Sequence, residues 1–192
     1  VSAAWCRWLA RTPKLETTVN LADTDFTLFG LPPQQALDRA VLDQRWRKLQ
    51  AEVHPDRFAS VGAAAQRAAM QWAVRVNEAY QRLKDPVRRA AYLCALRGVP
   101  VDAERNTAMP ANFLVQQMNW REELDDATDL AAVECLGDEV TGMERELLAG
   151  LNVSLDVEGD AAVAATQVRA LMFVQRFRQD LERRLDGLDP TR

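Results

Sequence analysis

Apolar residues recur at helical spacing along most of the chain from residue 38 to residue 187. After Asp38, one apolar stripe continues at intervals of four, three and four through Leu42, Trp46, Leu49 and Val53. A second stripe of this kind comprises Ala69, Ala73, Val76, Tyr80 and Leu83. Such spacing predicts amphipathic helices, and Asp38 is a suitable N-cap for the first of them. Because no segment alternates apolar and polar residues as a strand does, the pattern predicts an all-α protein.

Proline placement indicates where these helices end. The stretch AEVHPDRFAS, residues 51–60, contains the only histidine of the chain, directly before a proline. A residue before proline is driven out of the helical region and proline has no amide hydrogen, so the first helix ends at His54 and a loop is expected over residues 56–62. Pro86 opens a shorter helix for which Gly98 is a C-cap candidate. We therefore predict an antiparallel helical hairpin with His-Pro-Asp at its tip and short helices on either flank.

Turn-forming residues divide the chain into segments. The sequence FTLFGLPP predicts a turn or short helix before the hairpin, and residues 99–110, with two prolines, predict a linker. Beyond the linker, helical patterns cover about residues 110–128, 129–150 and 160–187. These three helices predict an antiparallel bundle. The predicted domains are residues 22–98 and residues 111–192.

Residues 1–21 form a leader in which Arg7, Arg11 and Lys14 precede the first acidic residue, Glu16. Such a leader is typical of a mitochondrial presequence or of a reading of the gene that begins too early. The chain has 21 arginines against three lysines, a bias typical of a GC-rich bacterial genome. We therefore favour a true start near Val19, a disordered or non-native leader, and a bacterial cytoplasmic protein over one of the mitochondrial matrix.

Charge is distributed unevenly along the chain, whose formal net charge is −4. Residues 22–97 carry 12 basic and 8 acidic side chains, whereas residues 98–192 carry 9 basic and 19 acidic ones. Net charges of opposite sign in the two halves indicate two different partners, each attracted by the electrostatic field of one half. Chance variation of charge along a chain would give a similar distribution. The acidic half disfavours nucleic-acid binding, and the lack of an apolar run of about 18 residues disfavours a membrane span.

Few residues are available for catalysis or metal binding. With one histidine and with Cys6, Cys94 and Cys135 far apart, the sequence offers neither a histidine-rich nor a cysteine-based metal site. No nucleotide-binding glycine motif is present, and His54 lacks the flanking sequence of a nucleophile elbow. An enzyme with a carboxylate-bridged metal pair would need inward-facing Glu-x-x-His motifs, and the second half has no histidine. We expect no catalytic residue, no cofactor and no metal, and we expect Cys94 and Cys135 to pack in the core.

The helix around residues 113–127 is apolar on two faces. At about 100° per residue, one stripe that should face the bundle core comprises Phe113, Trp120, Leu124 and Ala127. Leu114, Val115 and Met118 then form a second patch on roughly the opposite face, with Glu122, Asp125 and Asp129 beside it. An apolar patch with a charged rim is typical of a protein-binding site, although packing against another helix would also explain it. In the third helix of the bundle, Phe173 falls at the margin of the core stripe and is expected to be half exposed.

Four sequence stretches together resemble one family. The tripeptide His54-Pro55-Asp56 at the tip of a hairpin, with Arg45, Arg47 and Lys48 away from the apolar stripe of the first helix, resembles the J domain of DnaJ-type co-chaperones. The stretches FTLFGLP, HPDRFA, RRAAYL and REELDDA, over about residues 23–187, resemble the HscB type, the J-protein of iron-sulfur cluster assembly. The resemblance implies an N-terminal J domain followed by a C-terminal three-helix bundle.

The resemblance also implies two partners. One is a DnaK-type, HscA-like ATPase chaperone whose ATP hydrolysis the J domain stimulates, and the other is an IscU-like iron-sulfur scaffold protein bound by the bundle. The residues implied for the chaperone surface are His54, Pro55, Asp56, Arg45, Arg47, Lys48 and Arg57. Those implied for the scaffold surface are Leu114, Val115, Met118, Asn119, Glu122, Asp126 and Phe173. Arg57 stands where the family often has lysine and Asn119 where it often has an acid. A J-protein whose bundle binds a different client is the alternative.

Overall fold

The computed structural model describes residues 20, 22–58, 60–102 and 109–188. The predicted leader, apart from residue 20, and residues 103–108 of the predicted linker lie outside these ranges. Within them every regular element is helical, which confirms the all-α prediction. Packing divides the described chain into two compact units, and the first runs up to Pro33 and from Leu37 to Lys84.

The first unit is built around a helical hairpin. Its elements are helix α1 (Asp25–Leu28), helix α2 (Arg39–Val53), a 3-10 helix (Pro55–Phe58) and helix α3 (Ala63–Lys84). Asp38 caps α2 as predicted, because its carboxylate accepts hydrogen bonds from the amides of Ala40 and Val41 at 2.8 and 3.3 Å. The helices pack through buried residues that include Leu42, Ala69, Val76, Ala79, Tyr80 and Leu83.

Helix α2 ends directly before Pro55, as the sequence predicts. His54 has the extended angles φ −60° and ψ 127° and ends the helix. The prediction of a loop over residues 56–62 is wrong in part, since Pro55–Phe58 forms a 3-10 helix. Phe58 is buried and anchors this short helix, which favours order over a free loop. The chain then turns at Gly62, whose φ of 121° favours glycine, and α3 begins at once.

A buried carboxylate, which the sequence pattern did not predict, joins α1 to α3. Asp25 is fully buried, and its two carboxylate oxygens lie 2.7 Å from a guanidinium nitrogen of Arg75 and 2.6 Å from one of Arg82. A buried charge of this kind is stable only when it is paired and hydrogen-bonded. The two arginines therefore hold α1 against the second half of α3.

The second unit consists of Gln34–Ala36 and the described chain from Asp85 onwards. Its elements are α4 (Pro86–Leu96), α5 (Ala111–Asp126), α6 (Leu130–Asn152), a π-helix (Val153–Val157) and α7 (Ala161–Leu188). Helices α5, α6 and α7 match the three predicted helices of the bundle. Their shared core contains Phe113, Trp120, Ala127, Val133, Leu136, Val140, Ala170, Val174, Phe177 and Leu181.

The π-helix was not predicted. It continues α6 by one wider turn, and its Asp156 accepts hydrogen bonds from the amides of Gln35 and Ala36, both at 2.7 Å. The carbonyl of Leu155 accepts another from the Arg97 guanidinium at 2.7 Å. The element thus serves as an attachment point for two segments that lie far from it in sequence.

The compact units divide the chain between Lys84 and Asp85, earlier than the predicted domain boundary at residue 98. The reason is that α4 packs against α7, with Val87, Ala90, Leu93 and Cys94 buried. Packing groups therefore differ from the sequence segments, and the division into domains 22–98 and 111–192 stays a prediction.

Candidate functional site

The first candidate surface is the tip, which we define as His54, Pro55 and Asp56. The side chains of His54 and Asp56 are 57% and 87% exposed. The imidazole Nδ1 accepts a weak hydrogen bond from the Asp56 amide at 3.4 Å and lies 3.6 Å from a carboxylate oxygen of the same residue. Proline and the start of the 3-10 helix restrict the backbone between the two groups. The tip therefore presents two polar side chains in a restricted arrangement.

Arg57 holds the tip on the end of α2. The guanidinium of Arg57 donates to the Ala51 carbonyl at 3.1 Å, and its amide donates to the His54 carbonyl at 3.1 Å. These bonds satisfy the carbonyl of Ala51 in the last turn of α2 and that of His54, which caps the helix, and neither carbonyl has a helical partner. Arg57 is exposed as well, so the structure gives it an internal contact in addition to the predicted place beside the tip.

The three basic residues of α2 that were predicted for the chaperone surface, Arg45, Arg47 and Lys48, differ in exposure. Arg45 is half-buried and donates to the carbonyl of Phe29 at 2.7 Å and to that of Gly30. Gly30 has a φ of 60° and turns its carbonyl toward that guanidinium. Arg47, whose Nε donates to the Asp43 carbonyl at 3.2 Å, and Lys48 are exposed. Of these three, only Arg47 and Lys48 are fully exposed, because the turn after α1 engages the guanidinium of Arg45. The place of Arg45 on the chaperone surface stays a prediction.

A polar and aromatic cluster between α2 and α3 was missed. The ring of Trp46 stacks on Tyr80 with centroids 4.5 Å apart, and its Nε1 donates to Asn77 Oδ1 at 3.0 Å. The Tyr80 hydroxyl donates to Asp43 at 3.0 Å, and the hydrogen bond from Arg39 to the same carboxylate lowers the pKa of Asp43 below its ordinary value. Apolar spacing identified Trp46 and Tyr80 but carries no signal for their polar partners.

The second candidate surface is the α5 patch, which we define as Leu114, Val115, Met118, Asn119, Glu122 and Asp126. Leu114, Val115 and Met118 are 44%, 56% and 61% exposed, and the three polar members are exposed as well. On the other face of α5, Phe113 and Trp120 are buried in the bundle. The structure thus confirms the two-faced helix, with an apolar centre and an acidic end on its free face. Of the predicted neighbours, Asp129 caps α6 by accepting from the Ala132 amide at 2.9 Å.

Trp120 and Glu139 fix the orientation of α5. The indole Nε1 of Trp120 donates to Glu139 Oε1 at 2.8 Å, and Gln116 donates to the same oxygen at 3.0 Å. Trp120 is fully buried and stacks on Phe177 of α7, with ring centroids 5.6 Å apart. One side of the helix is therefore held by two neighbours, which leaves the α5 patch facing outward.

A groove of about 540 Å³ runs between α5 and α6 and is lined in part by the polar members of the α5 patch. Its lining comprises Asn119, Glu122, Glu123, Asp126, Ala127, Ala132, Cys135, Leu136 and Glu139. Cys135 is exposed here, so the expectation that it packs in the core is wrong, because its side of α6 does not face the bundle interior. Cys94 is buried as expected, and burial raises the pKa of its thiol.

Phe173 lies at the outer end of an aromatic cluster, and its predicted half-exposure is confirmed. Its ring meets Phe113 edge to face at 5.9 Å and stacks on Phe177 at 6.1 Å. The guanidinium carbon of Arg121, on α5, lies 5.6 Å from the centroid of the Phe173 ring. The predicted scaffold residues thus lie on two helices, with six positions on α5 between Leu114 and Asp126 and one position on α7.

Within residues 20, 22–58, 60–102 and 109–188, no three His, Cys, Asp or Glu side chains are placed to hold a metal ion. The same ranges contain no helix that is both long enough and apolar enough to cross a membrane.

Comparison with known proteins gives consistent matches. Residues 109–182 match the family described as the HSCB C-terminal oligomerisation domain. The co-chaperone protein HscB homolog of Burkholderia thailandensis is 49% identical over 174 residues, which cover 89% of this chain and 99% of that protein. The homolog of Burkholderia multivorans is 48% identical over the same length.

Solved structures resemble the fold. Chaperone HscB from Vibrio cholerae, 40% identical, matches with a TM-score of 0.81 over 86% of this chain and 100% of that one. The human co-chaperone protein HscB, 22% identical, matches with a TM-score of 0.80 over 85% of this chain and 83% of that one. At that identity the human structure supports the fold alone.

Proposed function

This chain belongs to the HscB family of co-chaperones, and we propose that it binds an iron-sulfur scaffold protein and presents it to a DnaK-type ATPase chaperone. In this proposal the chaperone's ATP hydrolysis is stimulated and cluster transfer from the scaffold is promoted. The observation that carries the proposal is the pair of exposed surfaces, the tip in the first unit and the α5 patch in the second. Each surface suits a different partner, since one is polar and restricted and the other is apolar with an acidic end.

At the tip, the proposed role of His54, Pro55 and Asp56 is recognition. A restricted loop loses little conformational entropy on docking, so more of its contact energy appears as binding. Stimulation requires the tip to bind the hydrolysis-competent state of the chaperone more tightly than its resting state. The ATP-hydrolysing groups then belong to the chaperone, and this chain contributes none.

Charge on α2 adds attraction at longer range. Arg47 and Lys48 are exposed on the helix that carries the tip. They would attract an acidic surface of the ATPase chaperone and raise the rate of encounter. Salt weakens this attraction, because at 0.1 M exposed charges more than about 10 Å apart are largely screened from each other. Stimulation is therefore expected to weaken as ionic strength rises.

On the α5 patch, the apolar centre would supply the area buried in the complex and the acidic end would orient the scaffold. Met118 adapts to a partner's shape because its side chain is unbranched. Glu122 and Asp126 lie at the rim, where charges contribute more to encounter rate and register than to affinity. Asn119 carries no charge at a place where the family often has an acid, so basic groups of the scaffold are held by the other two residues.

Single-turnover ATP hydrolysis by the DnaK-type chaperone tests the proposal. Hydrolysis is measured with and without scaffold protein, after adding this protein, its His54→Gln variant, or the control Gln81→Ala at an exposed position of α3. We expect the native protein and the control to accelerate hydrolysis, scaffold to enhance the effect, and His54→Gln to do neither. If His54→Gln behaved like the native protein, the tip would be an ordinary turn and the proposal would be withdrawn.

A pull-down of scaffold protein tests the second surface. The triple variant Leu114→Ala/Met118→Ala/Phe173→Ala should fail to retain scaffold that the native protein retains. Stimulation of the ATPase without any retention of scaffold by the native protein would indicate a J-protein with a different client.

A further inference from the structure

Arg121 differs in charge from the rest of α5. It is the only basic residue in the sequence of that helix, and four of the next five residues are acidic. The described residues give it no ion pair with those acids. Its guanidinium lies over the ring of Phe173 instead, 5.6 Å from the centroid, while the side chain remains exposed. The cation is thus held between α5 and α7 by an aromatic face.

The position of Arg121 places it inside the proposed scaffold surface. It follows Met118 by three residues and Leu114 by seven, and residues at these spacings lie on the same side of a helix. Phe173 is on α7, on the other side of the guanidinium. A partner that contacts both the apolar centre of the α5 patch and Phe173 therefore covers Arg121.

A partner that covers this guanidinium must supply hydrogen-bond acceptors for it. The Phe173 ring offers the cation an aromatic face but no oxygen acceptor, and among the described residues no hydrogen bond satisfies the guanidinium N–H donors. A cation that is desolvated without an acceptor is strongly unfavourable. A carboxylate meets the demand best, because it accepts two parallel hydrogen bonds from a guanidinium.

We propose that Arg121 is a specificity-determining residue of the α5 patch and selects a partner with an acidic side chain beside its apolar contact. This inference rests on the proposed binding of the scaffold protein to the patch. Arg121 lies on the side of the surface next to α7, and Glu122 and Asp126 lie further around the helix, so positive and negative charge occupy different parts of the surface. The partner binds with its acidic group toward α7 and its basic groups toward the acidic end of α5, and the reversed orientation places like charges together.

Titration calorimetry of scaffold protein into Arg121→Gln, Arg121→Lys and Arg121→Glu variants tests the inference. The matched control is Arg145→Gln, an exposed arginine on α6. We expect Arg121→Gln to weaken binding about tenfold, Arg121→Glu to weaken it further, and Arg121→Lys to lie between Gln and the native protein because lysine keeps the charge but not the planar fork. The thermal unfolding midpoint of each variant should stay at the native value, since the side chain is exposed.

A second test replaces exposed acidic residues of the scaffold protein one at a time, Asp by Asn or Glu by Gln, and measures the affinity of each scaffold variant for this protein. One such variant should weaken binding to the native protein and have little further effect on Arg121→Gln, which is the coupling expected of a direct pair. Absence of any coupled carboxylate would overturn the inference. So would binding by Arg121→Gln that equals or exceeds native binding, since the guanidinium would then only cover Phe173.

Leu114→Ala/Met118→Ala separates this inference from the proposed function. If the native protein does not bind scaffold at all, the proposed function fails and the inference fails with it. If the native protein binds, the double variant is weakened and Arg121→Gln is unchanged, the inference alone is wrong.

Discussion

The tip and the α5 patch are built in opposite ways. The tip consists of three consecutive residues whose conformation follows from the helix end before them, the proline among them and the 3-10 helix after them. The α5 patch with Phe173 spans residues 114–173 and exists only because α5 and α7 pack side by side. A recognition element encoded locally tolerates changes elsewhere, whereas one assembled from two helices depends on the packing beneath it. Four perturbations test this contrast, and the first is expected to have the greatest effect.

Removing the buried carboxylate of the first unit should have the largest effect. Asp25→Ala leaves Arg75 and Arg82 without their buried partner and is expected to cost about 3 kcal/mol of unfolding free energy. Denaturant unfolding would measure it, with Glu78→Gln at an exposed position of α3 as control. Because the tip lies in the destabilised first unit, ATPase stimulation should fall. Scaffold binding should remain, because the α5 patch lies in the second unit. A loss of stability no greater than that of the control would mean that the ion pairs contribute nothing.

Truncating the apolar centre of the α5 patch should weaken scaffold binding without loss of stability. Leu114→Ala/Met118→Ala is expected to reduce affinity by about 2 kcal/mol, or roughly thirtyfold, as for central contacts in an interface. Val163→Ala, at an exposed apolar position of α7, is the control. Titration calorimetry and thermal unfolding would be compared for the same samples. A fall in the unfolding midpoint would indicate that the two side chains support the fold rather than the complex.

Substituting Arg45 and Lys48 separately should distinguish an internal contact from an exposed charge. Arg45→Gln leaves the carbonyls of Phe29 and Gly30 without a charged donor, so a loss of about 1 kcal/mol of stability is expected. Lys48→Gln should leave stability unchanged and reduce only the salt-dependent part of ATPase stimulation. Equal stability of the two variants would contradict the assigned role of Arg45.

Acid should weaken the cluster between α2 and α3 slightly. The hydrogen bond from Arg39 lowers the pKa of Asp43 in the folded state, so ionised Asp43 stabilises the fold above its unfolded pKa, and this stabilisation is lost as pH falls through the folded value. The thermal unfolding midpoint should therefore decrease less for Asp43→Asn than for the native protein when the pH is lowered from about 5 to about 3. Parallel curves for the two proteins would show that the interaction is absent in solution.

Much of the fold followed from local sequence. Asp38 was predicted as an N-cap from its place before a helical stripe, and Pro86 was predicted to open the next helix. Asp38 caps α2, and α4 begins at Pro86 with the carboxylate of Asp85 as its cap. The core side of α5 was readable because Phe113 and Trp120 recur at helical spacing. These features depend on the backbone and on near neighbours, which periodicity reports directly.

Short-range sequence patterns were enough to predict the all-α class, the extended His54 before its proline, the two-faced character of α5 and the family that the motifs resemble. The packing of the helices was needed to show that Asp25 is buried between two arginines, that Arg45 binds carbonyls of the turn after α1, that Cys135 is exposed and that Arg121 lies over Phe173. The physical reason is distance along the chain. Caps and apolar stripes are set by residues within about four positions of each other, whereas each of the other features depends on the packing of helices that are separated in sequence.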